Sequence, residues 1–188
     1  RYRALAALLL WRVAPTVRAQ GAAPTPASRA SDDFESGSLA SWQIQANGAG
    51  GWFVYTDGQT PPDQSKTDPF WPFEAADPPQ GTFAAVSDMN GTGLFILYRD
   101  IVLDGRYNLT MNVYYVNEGR FTTEATLAES QVYRIDVMSP TAPLTTITRS
   151  DILATIFQGR PNDAARQVPT ELTRDLSQWA GQTIRLRL

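Results

Sequence analysis

Short runs of alternating or continuous apolar residues recur along the chain from residue 51 to its end. Clusters of Gly, Pro, Asn and Asp separate these runs, and no segment shows a sustained helical stripe. Regular short strands without intervening helices favour a β-sandwich or jelly roll over an α/β fold, so the pattern predicts an all-β protein. The predicted strands cover residues 51–56, 82–87, 94–103, 107–116, 131–138, 152–157, 171–176 and 183–188.

Alternation within the runs assigns each side chain to a face, because successive residues of a strand point to opposite sides. In the run YNLTMNVYYV the inward set is predicted to be Tyr107, Leu109, Met111, Val113 and Tyr115, with Asn108, Thr110, Asn112 and Tyr114 outward. In QVYRIDVM the inward set is Tyr133, Ile135 and Val137, which leaves Arg134 and Asp136 side by side outside. In the last run Ile184, Leu186 and Leu188 are expected to face in, with Arg185 and Arg187 facing out.

The first nineteen residues differ in character from the rest of the chain. Arg1 and Arg3 precede an apolar run, and the small residues of Val17-Arg18-Ala19 suit cleavage before Gln20. The apolar run is too short to cross a bilayer core of roughly 30 Å. Residues 1–19 are therefore predicted to be a secretory signal peptide that packs little on the domain, and residues 20–31 a disordered linker rich in Pro, Ala and Ser. The folded domain is predicted to cover residues 32–188.

Composition excludes several classes of function. The chain has no cysteine and no histidine, which removes disulfide scaffolds, imidazole zinc sites and histidine-based catalysis. The net charge is −3, and the predicted signal peptide holds four arginines, Arg1, Arg3, Arg12 and Arg18, without an acid, so the remainder is more acidic. Such a surface repels phosphate backbones, and nucleic acid is not expected as a partner. A secreted bacterial protein, extracellular or periplasmic, fits this composition.

Five short motifs follow one another between Asp32 and Leu188: DDFESGSLASWQI, GWFVY, PPQGTFAAVSD, LYRDIVL and DLSQWAGQTIRLRL. In this order they resemble secreted bacterial jelly-roll domains of the galactose-binding-like, carbohydrate-binding-module-like and MAM-like kinds. The resemblance implies a jelly-roll-type antiparallel β-sandwich. It also implies that one more strand follows the last run and pairs with the opening DFE segment. The domain is thus expected to be incomplete, with an open edge beside residues 183–188.

The resemblance further implies a structural calcium ion near the start of the domain. Asp33 and Glu35 match the acidic entry that holds calcium in many such jelly rolls, and hard oxygen ligands suit that ion. Two acids do not fill a calcium shell of about six to eight oxygens. Solvated acids or turn hydrogen bonds are the competing interpretation.

Two sets of side chains are candidates for ligand binding. The proline-stiffened loop 57–80 carries Trp71 and Phe73, which suit stacking on sugar rings or, alternatively, cover a sheet edge. Tyr114, Arg134 and Asp136, together with Asn112, would line one outer face if their strands were neighbours. A recognition surface for a glycan or peptide and a solvated ion pair are the two interpretations of that set.

The sequence therefore predicts a non-catalytic extracellular binding or adhesion module for polysaccharide or cell-surface glycan. Acids such as Glu118, Glu124 and Glu129 share no common strand face, as a glycoside hydrolase pair would, and no serine has a histidine base. Two alternatives remain: a structural spacer of a larger secreted protein, and an ancillary fragment of a carbohydrate-active enzyme.

Overall fold

The computed structural model describes residues 4–9, 11–15, 31–56, 77–117, 121–122 and 132–188. Within them the strands are β1 (Ala4–Leu9), β2 (Trp11–Pro15), β3 (Ser31–Asp32), β4 (Gln43–Tyr55), β5 (Ala84–Val102), β6 (Tyr107–Asn117), β7 (Arg134–Met138), β8 (Ile152–Gln158), β9 (Arg166–Asp175) and β10 (Thr183–Arg187). A short 3₁₀ turn, Ser177–Trp179, precedes β10. The prediction of an all-β protein is confirmed.

Most predicted runs form strands, but β5 joins two of them into one. β4 and β5 form a long antiparallel hairpin in which Gln43 lies opposite Tyr98 and Tyr55 lies opposite Ala84. The register shifts between Gly48 and Gly50, and both glycines have positive φ. A β-bulge therefore interrupts the pairing where the sequence had indicated a break between two strands.

The described strands form one 10-stranded antiparallel sheet that curls into a β-sandwich. The front layer consists of β4, β5, β10, β7 and β8, and the back layer of β9, β6, β2 and β3. β1 joins the layers because it pairs with β5 on one side and with β6 on the other.

The main core lies between the two layers. Leu97, Val137 and Leu186 enter it from the front layer, and Leu109 and Met111 enter it from the back layer. The predicted inward sets are confirmed: Tyr107, Leu109, Met111, Val113, Tyr115, Tyr133, Ile135, Val137, Ile184, Leu186 and Leu188 are all buried. Period-two alternation therefore located the core correctly.

A second apolar cluster lies on the opposite face of the sheet beside β1. It contains Tyr55, Ala84, Val86, Tyr114 and Val116, with Phe53 packed against it. Tyr114 was predicted to face outward, and its side chain does point away from the main core. The side chain is nevertheless buried, since this part of the sheet is covered on both faces.

The turn that precedes the last strand closes one end of the sandwich. Leu176 and Trp179 are both buried in the main core, and Gly181 has φ of 82°. The glycine allows a left-handed conformation that leads the chain into β10. The segment therefore forms an apolar cap that leads into β10, within the strand predicted for residues 183–188.

Two expectations about the ends of the domain are contradicted. Residues 4–9 and 11–15 were expected to pack little, yet their backbone pairs with β5 and β6 in the sheet. β10 was expected beside an open edge, yet it lies between β5 and β7, and Leu188 exchanges backbone hydrogen bonds with Leu97. Apolar extended segments pair wherever main-chain groups are free, which local sequence does not reveal. Cleavage of residues 1–19 stays a prediction.

Candidate functional site

A row of polar side chains crosses the outer face of the front layer. Because Leu186 of β10 points into the core, its neighbours Arg185 and Arg187 point out. Strand register places Arg187 opposite Tyr98 of β5 and opposite Asp136 of β7. The complete row, called the polar row below, is Gln43, Tyr98, Arg187, Asp136 and Thr155.

One end of the polar row is a buried ion cluster centred on Asp136. Its carboxylate accepts hydrogen bonds from Arg134 Nε at 3.0 Å and from Arg134 Nη2 at 3.0 Å. It also accepts one from Arg187 Nη2 at 2.5 Å and one from Thr155 Oγ1 at 2.7 Å. Two guanidinium groups therefore share one buried carboxylate, and its oxygens are occupied by protein donors.

The segment that connects β7 to β8, residues 139–151, packs over this cluster. Arg187 Nη1 donates to the carbonyl oxygens of Leu144 at 2.5 Å and Thr146 at 2.7 Å. Thr146 Oγ1 in turn donates to Asp151 Oδ2 at 2.9 Å. The segment is thus fastened to the outer face through Arg187, and it shields the ion cluster from solvent.

The other end of the polar row is open to solvent. Tyr98 is half-buried and donates from its hydroxyl to Oε1 of the exposed Gln43 at 2.6 Å. Arg185 lies over the Tyr98 ring, with its guanidinium carbon 5.0 Å from the ring centroid. The same Arg185 pairs with Asp100, from Nε to Oδ1 at 2.7 Å and from Nη2 to Oδ2 at 2.9 Å. We call Gln43, Tyr98, Asp100 and Arg185 the open patch.

The open patch holds its side chains in fixed positions before any ligand arrives. Arg185 is held by the bidentate Asp100 contact and by a hydrogen bond to the carbonyl of Ala142 at 3.4 Å. The hydrogen bond with Asp100 raises the pKa of Arg185, which therefore stays charged. A half-exposed aromatic ring beside an amide and a carboxylate on a rigid sheet can stack on a sugar ring and bond its hydroxyl groups.

The outer-face set predicted from sequence is not brought together. β6, which carries Tyr114, pairs with β1, β2 and β9, whereas β7, which carries Arg134 and Asp136, pairs with β8 and β10. The interpretation of a shared face is therefore wrong, because the two strands belong to different layers. Asn112, also in the predicted set, is on β6 with Tyr114.

Arg134 and Asp136 do lie side by side, but the prediction of a solvated outer face is wrong for them. Asp136 is fully buried and Arg134 is largely buried. The reason is tertiary: residues 139–151 and the side chain of Arg187 cover this part of the face. The ligand-binding role assigned to Arg134 and Asp136 stays a prediction. The hydrogen-bond donors and acceptors of both side chains are turned toward the protein. Trp71 and Phe73 lie outside the described residues.

The acidic opening segment folds into a turn in which its carboxylates accept backbone hydrogen bonds. Asp33 Oδ1 accepts from the amide of Glu35 at 3.1 Å, and Glu35 Oε1 accepts from the amides of Thr82 at 2.8 Å and Phe83 at 2.9 Å. These contacts support the competing interpretation of turn hydrogen bonds. No three acidic side chains gather into a metal-binding group within the described part of the chain, and calcium at this turn stays a prediction.

Asp32, one residue before the predicted pair, has the larger structural role in this turn. Its carboxylate accepts hydrogen bonds from the amide of Phe34 at 3.0 Å, from Trp42 Nε1 at 2.8 Å and from the hydroxyl of Ser41. Phe34 adopts a positive φ of 59° and is fully buried against Trp42. The motif DDFESGSLASW therefore closes a compact corner before β4.

The sequence-based prediction missed the open patch. Tyr98 and Asp100 lie in the predicted strand of residues 94–103, to which the sequence assigned no ligand-binding side chain. Alternation alone could have placed these two side chains on the outer face. Tyr98 and Asp100 are at even positions, whereas the core residues Leu97 and Ile101 are at odd positions and point to the opposite face. The pairing of this face with Arg185 required knowledge of the strand order.

Comparisons of the chain with protein-family models, with curated proteins and with solved structures produced no match. No helix within the described ranges is long and apolar enough to cross a membrane.

Proposed function

We propose that this protein is a non-catalytic extracellular binding module that recognises an uncharged polysaccharide through the open patch. The observation that carries the proposal is the half-exposed Tyr98 ring, held between the amide of Gln43 and the ion pair of Arg185 with Asp100. Secretion follows from the predicted signal peptide. A jelly-roll class of sandwich is part of the same proposal and rests on the short motifs of the sequence.

The chemistry of the patch supports a neutral sugar rather than a charged polymer. Arg185 and Asp100 satisfy each other in a bidentate contact, so neither offers a free charge to an ionic ligand. The groups that can still contact a ligand are the Gln43 amide, the Tyr98 ring and the unused lone pairs of Asp100. These groups match the apolar face and the hydroxyl groups of a hexose or pentose ring.

The same contacts support a binding role over a catalytic one. Hydrolysis of a glycosidic bond uses two carboxyl groups that face each other across the scissile bond. On this outer face the carboxylates of Asp100 and Asp136 are each engaged by arginine, and Asp136 is buried. The patch is therefore built to hold a ligand in place.

Affinity gel electrophoresis against neutral soluble polysaccharides, including xylan, galactomannan and a mixed-linkage β-glucan, tests the proposal. We expect one of them to retard the wild-type chain and Tyr98→Ala to weaken binding about tenfold, the factor given by roughly 1.4 kcal/mol of lost ring contact. Tyr98→Phe keeps the ring and should retain most of the binding. Val168→Ala, an exposed position on β9 in the other layer, is the matched control.

Retardation by a neutral ligand should persist when the ionic strength is raised, since screening acts on charges. Absence of retardation by every polysaccharide in the panel would favour the structural spacer. Equal retardation of the wild type and Tyr98→Ala would show that the ligand binds elsewhere on the protein.

A further inference from the structure

Three amide side chains continue from the open patch along the edge of the front layer. Gln43, Gln45 and Asn47 occupy alternate positions of β4, so they point to one face of the sheet. Strand register places Gln43 opposite Tyr98, and this face is therefore the outer face that carries the open patch. All three amide residues are exposed to solvent. We call Gln43, Gln45 and Asn47 the amide row.

The two amides beyond the open patch are available to a ligand. Gln43 already holds the Tyr98 hydroxyl through Oε1. The side chains of Gln45 and Asn47 make no hydrogen bond within the part of the chain that the structure describes. A side-chain amide carries two N–H donors and a carbonyl acceptor, which match the hydroxyl groups of a sugar. Residues 43–49 include no charged side chain, so the row has the same neutral chemistry as the open patch.

The segment between β7 and β8 closes the opposite side of the open patch. The carbonyl oxygen of Ala142 accepts a hydrogen bond from Arg185 Nη1 at 3.4 Å. The carbonyl oxygens of Leu144 and Thr146 accept from Arg187 Nη1 at 2.5 Å and 2.7 Å. These bonds hold the segment as a wall across the polar row. A ligand that lies on the open patch therefore meets this wall if it continues over β10 toward β7.

The direction along the strands is open. In the described ranges β4 pairs with β5 alone, and residues 43–49 are exposed. Four residues of a strand span about 14 Å, at roughly 3.4 Å per residue, so one sugar ring beside Gln43 does not reach Asn47. Beyond Asn47 the strand enters the β-bulge between Gly48 and Gly50, where it bends. The amide row is therefore a track that begins at the open patch and ends at the bulge.

We propose that the amide row is a second part of the binding site, which holds the sugar rings that follow the ring on Tyr98 and aligns a linear neutral polysaccharide with β4. This inference rests on the proposed function of the open patch. The ring at Tyr98 gains stacking, whereas the following rings gain hydrogen bonds from the amides. Gln45 contacts a ring closer to Tyr98 than Asn47 does, because the amides are spaced along the strand.

Isothermal titration calorimetry with oligosaccharides of increasing length tests the proposal. The probes run from disaccharide to hexasaccharide and are prepared from whichever of xylan, galactomannan and mixed-linkage β-glucan retards the wild-type chain. We expect the wild-type affinity to rise about tenfold over this series, the order expected for two exposed hydrogen bonds. Gln45→Ala combined with Asn47→Ala should remove most of this gain and bind the disaccharide as the wild type does. Tyr98→Ala should weaken the binding of every probe by a similar factor.

The matched control is Ile44→Ala, which removes an exposed side chain from the opposite face of β4 and should leave the length dependence unchanged. A wild-type affinity that does not rise with length, or an unchanged rise in the Gln45→Ala and Asn47→Ala double variant, would overturn the inference. The proposed function would still stand if Tyr98→Ala weakened binding. Loss of disaccharide binding in the double variant would also overturn the inference, because the amides would then support the open patch itself. If no probe binds the wild type, both the inference and the proposed function fail.

Discussion

Arg187 and Asp136 form a buried ion pair, with Nη2 of the guanidinium 2.5 Å from Oδ2 and side-chain exposures of 6% and 0%. A buried pair of this kind is no measure of stability by itself, because removing both charges from water offsets most of their attraction. Its importance appears when one partner is deleted. The cluster couples the last strand, β10, to β7 and to the segment that covers them.

Asp136→Ala should lower the free energy of unfolding by about 3–5 kcal/mol, because it leaves two guanidinium groups without their carboxylate in a low-dielectric site. Asp100→Ala removes the partner of Arg185 in the same sheet, but 37% of the Asp100 side chain is exposed. That variant should cost at most about 1 kcal/mol. Urea unfolding measures the free energy of unfolding of both variants. Similar losses in the two would contradict the difference in burial between Asp136 and Asp100.

Gly50→Ala and Gly51→Ala should differ strongly although the positions are adjacent. A Cβ at Gly50 would lie 2.4 Å from the carbonyl oxygen of Asp88, and its φ is 132°, whereas nothing lies within 4 Å of a Cβ at Gly51. We expect Gly50→Ala to cost about 2 kcal/mol or more through strain at the bulge. Gly51→Ala should be neutral or stabilise by about 0.5 kcal/mol through reduced freedom of the unfolded chain. Thermal unfolding of the two variants measures the difference in stability. Equal losses of stability would contradict the assignment of the bulge to Gly50.

Tyr133→Phe should stabilise the protein by about 1 kcal/mol at neutral pH. Among the described residues the Tyr133 hydroxyl is buried without a hydrogen-bond partner, a situation that costs about 1–3 kcal/mol. The ring contact with Phe157, at 5.2 Å between centroids, is available to phenylalanine as well. Chemical denaturation at pH 7 tests this expectation, and a loss of stability would mean that the hydroxyl has a partner.

The same substitution should change the alkaline limit of stability. Burial raises the pKa of Tyr133 well above its ordinary value of 10.0, so the unfolded chain loses this proton first. Ionisation of Tyr133 therefore leaves the free energy of unfolding unchanged below pH 10. It lowers that free energy as the pH rises from 10 toward the folded-state pKa. The advantage of Tyr133→Phe over the wild type should grow above pH 10, and parallel stability curves there would contradict the assigned burial.

The faces of the strands were predictable from the sequence because side-chain alternation is a local property. Met111, Val113, Ile135 and Val137 point into the core as their period-two pattern requires, and Arg185 points away from it. The last strand was located in the same way, since Ile184, Leu186 and Leu188 are buried as their alternation requires. These features depend only on residues within a few positions of one another.

Only the tertiary structure decided which strands are neighbours and which outer faces are covered. Tyr114 and Asp136 both point away from the main core, as alternation predicts, yet both are buried under groups distant in sequence. Tyr98 meets Arg185 across a sequence separation that no local pattern encodes. Strand order follows from the total apolar area and main-chain pairing that the whole chain can satisfy, and the period of two in a single strand contains no information about its partners.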